Sequence, residues 1–180
     1  AHQTLPSLAD RSVLIVGYGQ IGAAVEARLA PFEVQVTKVA RTAREGVHSF
    51  EELPQLLPQA DVVILIVPDT AETRGMVDAD FLAQMRRGAL LVNVARGPIV
   101  VTDDLVAALH DGQVRAALDV TDPEPLPPNH PLWLAPGVLI SPHVGGASSA
   151  MEPRSYRLVR AQLERFAAGA ELANQMSGDY

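Results

Sequence analysis

No cysteine occurs anywhere in these 180 residues, so disulfides and thiolate metal sites are excluded. That absence suits a reducing compartment, and a cytoplasmic setting is the expectation. Basic charge is also in short supply. Lys and Arg total 14 against 21 Asp and Glu, and the net charge of −7 argues against a nucleic-acid partner held by counterion release. The strongest apolar run, Val62–Val67, is far too short to cross a bilayer, so no membrane partner is expected. Ala1–Thr4 has neither a basic n-region nor an apolar h-region, and no signal peptide is visible. No cluster of His and acidic residues has metal-ligand spacing, which predicts no metal. There is no internal repeat. What is present is 48% hydrophobic and 19% charged, the composition of a globular domain, and its length suits one well-cored unit over residues 1–180.

Apolar runs of strand length alternate with segments of helical period. The predicted strands are Val13–Val16, Val34–Val39, Val62–Val67, Leu90–Val94, Ala116–Val120 and Val138–Ile140. Each is nearly continuous in apolar residues, as parallel strands covered on both faces require. Predicted helices are Gln20–Leu29, Phe50–Leu57, Ala79–Met85 and Thr102–His110, with a longer last one at about Ser148–Ala168. Thr102 before Asp103 and Asp104 reads as an N-cap with acidic first-turn residues. Gly88 and Gly112 stand where helix C-terminal stops belong. The alternation predicts an α/β, Rossmann-like doubly wound parallel sheet with helices on both faces. The Pro-rich stretch Asp122–Pro131 reads as a rigid loop.

Gly17-Tyr18-Gly19-Gln20-Ile21-Gly22 leaves a strand and enters a helix, the context that separates a dinucleotide cradle from an ordinary glycine-rich turn. Gly17 permits the tight turn, Gly19 lets backbone approach a pyrophosphate, and Gly22 permits close helix–strand packing. The phosphates would meet the N–H groups opening the following helix. At the end of the next strand, Val39-Ala40-Arg41-Thr42-Ala43-Arg44 carries no carboxylate before Glu45. Arg41, Thr42 and Arg44 suit a ribose 2′-phosphate better than a bare 2′-OH, so NADP is expected, with NAD as the alternative. The third strand ends in Val67-Pro68-Asp69 and runs on to Thr73, at the sheet edge where ligands of such folds bind. Val67, Pro68 and Thr73 are therefore candidates for the cofactor wall.

Three further side chains follow strands at that same edge. Arg96, after Asn93-Val94-Ala95, has the planar fork that grips a carboxylate bidentately, with Ala95 beside it on the cofactor side. Glu124 lies in Asp119-Val120-Thr121-Asp122-Pro123-Glu124-Pro125, and His143 in Pro142-His143-Val144-Gly145-Gly146. A carboxylate beside an imidazole orients it and keeps a proton available near neutral pH. Asp119 is placed to accept a bond from a nicotinamide carboxamide, and Gly145 and Gly146 border the same site. His2, His48, His110 and His130 have no such context.

With Gly17–Gly22, Asn93–Pro98, Ile99–Leu109, Asp119–Pro125 and Ser141–Ser148 in view, the chain resembles the D-isomer-specific 2-hydroxyacid dehydrogenase family in its cofactor-binding domain, from about Leu8 onward. The resemblance places the family's catalytic Arg, Glu and His on Arg96, Glu124 and His143. Asp119–Pro127 followed by Asn129-His130-Pro131-Leu132 looks most like the glyoxylate/hydroxypyruvate reductase branch, many of whose members use NADPH. Glu124 argues against the similar formate dehydrogenases, which carry Gln there. Asp69 departs from the pattern, since an apolar residue is common at that position. The resemblance implies a small 2-keto acid as substrate, a homodimer, and a C-terminal part of a longer enzyme. The glycine motif begins almost at once, the first residue is not Met, and Asn174–Tyr180 looks like a family C-terminus. The same fold serves nucleotide-sensing corepressors of the C-terminal-binding-protein type, against which the acidic charge and the lack of an obvious docking extension weigh. A cofactor-binding module without turnover is the third reading.

Overall fold

Branched aliphatic runs become neighbouring strands of one sheet in the computed structural model, which describes residues 7–175. Ala1–Thr4 and most of Asn174–Tyr180, considered above, lie outside the described residues. The elements in chain order are β1 (Ser12–Val16), α1 (Gln20–Leu29), β2 (Gln35–Ala40), β3 (His48–Ser49), α2 (Leu53–Leu56), β4 (Val62–Leu65), α3 (Ala79–Gln84), β5 (Ala89–Asn93), α4 (Thr102–His110), β6 (Val114–Leu118), β7 (Val138–Ile140) and α5 (Met151–Ala167). The seven strands lie in the order β3-β2-β1-β4-β5-β6-β7 and every pairing is parallel. This is the Rossmann-like doubly wound sheet that the alternation predicts.

Register aligns the strand ends. Val16 pairs with Leu65, Leu65 with Asn93, Asn93 with Leu118, and Leu118 with Ile140. The segments that follow these residues therefore emerge along one edge. The strand order turns back between β1 and β4, and the crevice outside such a switch point is where open α/β sheets bind ligands. Val13, Leu14, Ile15, Val16, Val63, Leu65 and Leu91 are fully buried, so this edge rests on a rigid apolar centre.

Boundaries shift where local chemistry overrides period. β4 stops at Leu65 rather than Val67, although the Ile66 amide still reaches the Val16 carbonyl at 2.8 Å. β6 starts at Val114, two residues before the predicted start, because the Gly88 amide bonds the Gln113 carbonyl at 2.7 Å and aligns Ala89 with Val114. The predicted helix Phe50–Leu57 is a 3₁₀ turn (Phe50–Glu52), α2 and a second 3₁₀ turn (Leu57–Gln59), each of the last two with a proline in its opening turn. Thr102 is not the N-cap of α4. That place belongs to Val101, and the Thr102 hydroxyl donates to the Asp122 carbonyl at 2.7 Å. Gly112 (φ 67°) does follow α4, but Gly88 (φ 78°) sits in the turn into β5, past the Met85 cap of α3. β3 was too short to show in the pattern.

The chain divides after Pro142 into two compact units. The first holds the whole sheet. The second contains α5, whose Leu158, Val159, Leu163 and Phe166 are exposed at helical spacing. Gln162 laces the following segment to α5, donating to the Ala173 carbonyl at 2.8 Å and accepting from its amide at 3.1 Å. Among the described residues no helix is long and apolar enough to cross a membrane.

Candidate active site

The turn after β1 is a backbone device. Gly17 has φ 107°, and a Cβ there would stand 2.5 Å from the carbonyl carbon and oxygen of Ile66. The amides of Gly17 and Tyr18 both donate to the Val39 carbonyl, at 2.9 and 3.0 Å, which fixes the turn to β2. Gly22 is buried, and a Cβ there would stand 2.7 Å from the Gly17 carbonyl oxygen. Gly19 differs from both. It is the N-cap of α1, no side chain caps that end, and nothing lies within 4 Å of the place a Cβ would take. Gln20 and Ile21 are exposed beside it. Uncapped helix amides facing open space match an anionic diphosphate in charge and shape.

Arg41 and Thr42 follow β2 and are exposed. Arg44 is held in place. Its Nη2 donates to the Tyr18 carbonyl at 2.5 Å, its guanidinium lies 5.8 Å from the centre of the Tyr18 ring, and its backbone exchanges two bonds with Val47 at 2.9 and 2.8 Å. Two more residues that sequence reasoning missed complete this corner. The Tyr18 hydroxyl donates to the Glu26 carboxylate, and Lys38 Nζ donates to Glu26 Oε1 at 3.0 Å while lying 5.4 Å from the Tyr18 ring centre. The Tyr18 hydroxyl, then Lys38, hold the Glu26 carboxyl below its ordinary range. The Glu26 carboxylate in turn holds the Tyr18 hydroxyl and the Lys38 ammonium above theirs. Glu26 and Lys38 neutralise each other, and Arg41 and Arg44 remain as the positive charge beside the glycine turn. No spacing rule links a mid-helix Glu to a strand Lys, so this network was not legible beforehand.

After β4, Val67 is buried and Pro68 is exposed at the edge. Thr73, expected on the cofactor wall, is buried, and its hydroxyl donates to the Pro68 carbonyl at 2.5 Å while accepting from the Thr70 amide at 2.9 Å. It braces the loop that presents Pro68. Asp69 bonds Arg74 Nη2 through Oδ2 at 2.6 Å, and its Oδ1 is buried without a hydrogen-bond partner.

The turn after β5 is built around Asn93, another residue the motif reading passed over. Its buried amide donates to the Arg96 carbonyl at 3.0 Å and accepts from the Ala95 amide at 3.0 Å. Arg96 is exposed, with Nη1 donating to the Ala95 carbonyl at 2.6 Å, and Ala95 itself is buried. A Cβ on Gly97 would stand 2.0 Å from the Thr121 carbonyl oxygen, so the segment carrying Arg96 packs backbone to backbone on the segment leading to Glu124. The Thr102 bond to Asp122 and a 3.0 Å bond from the Thr121 hydroxyl to the Pro123 carbonyl tighten that pairing. Glu124 is exposed between two prolines. Asp119 accepts from the Ser141 hydroxyl at 2.6 Å. The structure thus brings together the loops of Arg96 and Glu124, and, separately, the glycine turn and Arg44.

His143 opens the second unit, exposed and in the left-handed region at φ 53°. Gly145 and Gly146 follow in an exposed turn closed by the Ala147 amide on the Val144 carbonyl at 2.9 Å. Two other described histidines have local partners: His48 Nδ1 meets Glu52 Oε2 at 2.7 Å, and His130 Nδ1 accepts from the Leu132 amide at 3.2 Å.

Comparison with known proteins places the chain in a family. Residues 1–145 match the family model of the D-isomer specific 2-hydroxyacid dehydrogenase NAD binding domain. A glyoxylate reductase of Thermofilum pendens is 38% identical over 167 residues, covering 89% of this chain and 49% of that protein. The structure of a D-isomer specific 2-hydroxyacid dehydrogenase from Xanthobacter autotrophicus Py2 in complex with NADPH and MES superposes with TM-score 0.86 at 38% identity, over 98% of this chain and 75% of that one. An NADPH-dependent glyoxylate/hydroxypyruvate reductase from Sinorhizobium meliloti, in complex with NADP and sulfate, gives TM-score 0.86 at 30% identity over 98% and 58% of the two chains. The chain spans about half the length of the curated relatives it matches, 57% and 49% for two of them.

Proposed function

The chain belongs to the D-isomer specific 2-hydroxyacid dehydrogenases, across their NAD-binding domain, and from that premise we propose that it is the cofactor domain of an NADP-preferring reductase of small 2-keto acids, of the glyoxylate or hydroxypyruvate type. The observation that carries this reading is the corner where Arg44 is fastened to the Tyr18 carbonyl, with no carboxylate in Val39–Arg44. The NADPH and NADP in the two solved relatives support it.

The open space at Gly19 and the uncapped start of α1 fit a diphosphate, and Arg41, Thr42 and Arg44 fit a 2′-phosphate. Pro68 and Val67 would form the wall beside the nicotinamide, and Asp119, oriented by Ser141, would accept from its carboxamide. When bound, the nicotinamide supplies hydride to the keto carbon. Arg96 binds the substrate carboxylate as a fork and polarises the carbonyl. His143 would donate the proton that completes the hydroxyl of the product. Glu124 would be the carboxylate of the same chemistry, the role that the resemblance gives it. A left-handed histidine backbone, at φ 53°, is a conformation that accumulates at functional sites. A cytoplasmic homodimer belongs to the same proposal.

A panel of glyoxylate, hydroxypyruvate, pyruvate and larger keto acids, assayed on the full-length protein with NADPH and with NADH, tests this reading. Reduction of glyoxylate and hydroxypyruvate, with higher kcat/KM for NADPH than for NADH, is expected. Dinucleotide binding without turnover of any keto acid would reject the reductase and leave a binding module.

A further inference from the structure

The opposite edge of the sheet, where β4, β5 and β6 begin, is as strongly marked by side chains as the cofactor edge is by backbone. Arg11, Arg86, Arg87 and Arg115 line a cavity of about 430 Å³ together with Asp61 and Ser7. Arg11 Nη1 and Arg86 Nη1 both reach Asp61 Oδ1, at 3.4 and 2.7 Å, and Asp61 Oδ2 accepts from the Ser12 amide at 3.1 Å. One carboxylate therefore answers two guanidiniums. Arg87 Nη2 donates to the Asp111 carbonyl at 2.6 Å, with the exposed Asp111 carboxylate 3.5 Å from Nη1. Arg115 has a single hydrogen bond, from Nε to the Gly88 carbonyl at 3.2 Å, and no ion pair among the described residues.

Holding strand starts accounts for some of these bonds but not for the gathering. A chain of net charge −7 with only 14 basic residues sets four of them around one hollow. The neighbouring carboxylates, Asp61 and Asp111, are too few to balance them, and most guanidinium donors are left over. Like charges placed together destabilise a fold unless something of opposite sign answers them. Guanidinium forks match tetrahedral oxyanions, and the volume exceeds what one phosphate group needs.

We propose that this cavity is a second anion site, remote from the glycine turn, that takes a phosphate group, free or as a small ester, between Arg86 and Arg115 with Arg11 and Arg87 flanking it. Binding there ties the starts of β4, β5 and β6, whose other ends carry Val67, Arg96 and Asp119. The proposal does not depend on the reductase assignment.

Titration calorimetry of inorganic phosphate, and separately of glycerol phosphate, into the full chain at constant ionic strength tests it. Saturable binding is expected, weakened about tenfold or more in Arg115→Gln and in Arg86→Gln, and unchanged in Arg160→Gln, which alters an exposed arginine of α5. Arg115→Gln is the decisive variant because it disturbs only one bond to backbone, and its melting curve reports whether the fold persists. Unaltered affinity in a folded Arg115→Gln protein, or loss of the signal in Arg41→Ala instead, would overturn the assignment.

Discussion

The glycine turn and the loops after β5 and β6 stand at one sheet edge but are made of different materials. Gly17, Gly19 and Gly22 act through what they lack. Two of them let backbones meet where a Cβ would stand 2.5 and 2.7 Å from another residue's backbone, and the third leaves space open. The loops share one such contact, at Gly97, but otherwise act through side chains: Asn93 folds the turn that offers Arg96, Thr121 and Thr102 steady the approach to Glu124, and Ser141 orients Asp119. A site made of backbone tolerates no substitution at its contact points. A site made of side chains degrades by degrees. The difference predicts opposite signatures in mutagenesis.

The largest effect is expected at Gly17. Ala there must accept φ 107° and a Cβ overlapping Ile66, costing about 3 kcal/mol or more of stability in urea melts. Gly19→Val should leave the melt almost unchanged and instead weaken dinucleotide binding about tenfold or more, because its side chain would fill the open space. Equal melting of Gly17→Ala and Gly19→Val would erase the distinction between contact and cradle glycines.

Arg96→Lys comes next. The charge stays and the fork is lost, so kcat/KM for keto acid in the full-length enzyme should fall about ten- to a hundredfold while NADPH affinity holds. A variant that binds NADPH poorly but handles keto acid normally would move Arg96 into the cofactor site. The smallest effect belongs to Glu26. Its carboxyl lies below its ordinary range in the fold, so its stabilisation is present above that range and is lost as pH falls through the depressed value. Glu26→Gln should therefore lower the melting temperature at neutral pH, with the gap to wild type closing in acid. A gap that persists at low pH would assign the loss to packing.

Much of the sheet was legible because its signals are local. Buried parallel strands are continuous apolar runs, α1 and α4 have the bounds that their period gives, and the glycine motif states its own turn. What was not legible depends on partners distant in sequence. The bond from the Thr73 hydroxyl to the Pro68 carbonyl, five residues back, had no signal in the motif. Asn93 fell inside the predicted strand Leu90–Val94; it ends β5, and its side chain folds the Arg96 turn. The fastening of Arg44 to the glycine turn was not visible, because it runs through a tyrosine whose other neighbours, Glu26 and Lys38, come from α1 and β2. The four arginines of the opposite edge lie in three separate stretches of sequence, and only the register of β1, β4, β5 and β6 collects them.

The central claim is that the corner formed by Arg41, Thr42 and Arg44 reads a 2′-phosphate. Calorimetry of NADPH and NADH against wild type, Arg41→Ala and Arg44→Ala tests it most directly. A charge-assisted bond contributes roughly 1.5–3 kcal/mol, so each variant should weaken NADPH about ten- to a hundredfold and leave NADH nearly unchanged. Tighter binding of NADH than of NADPH by the wild-type protein would contradict the account.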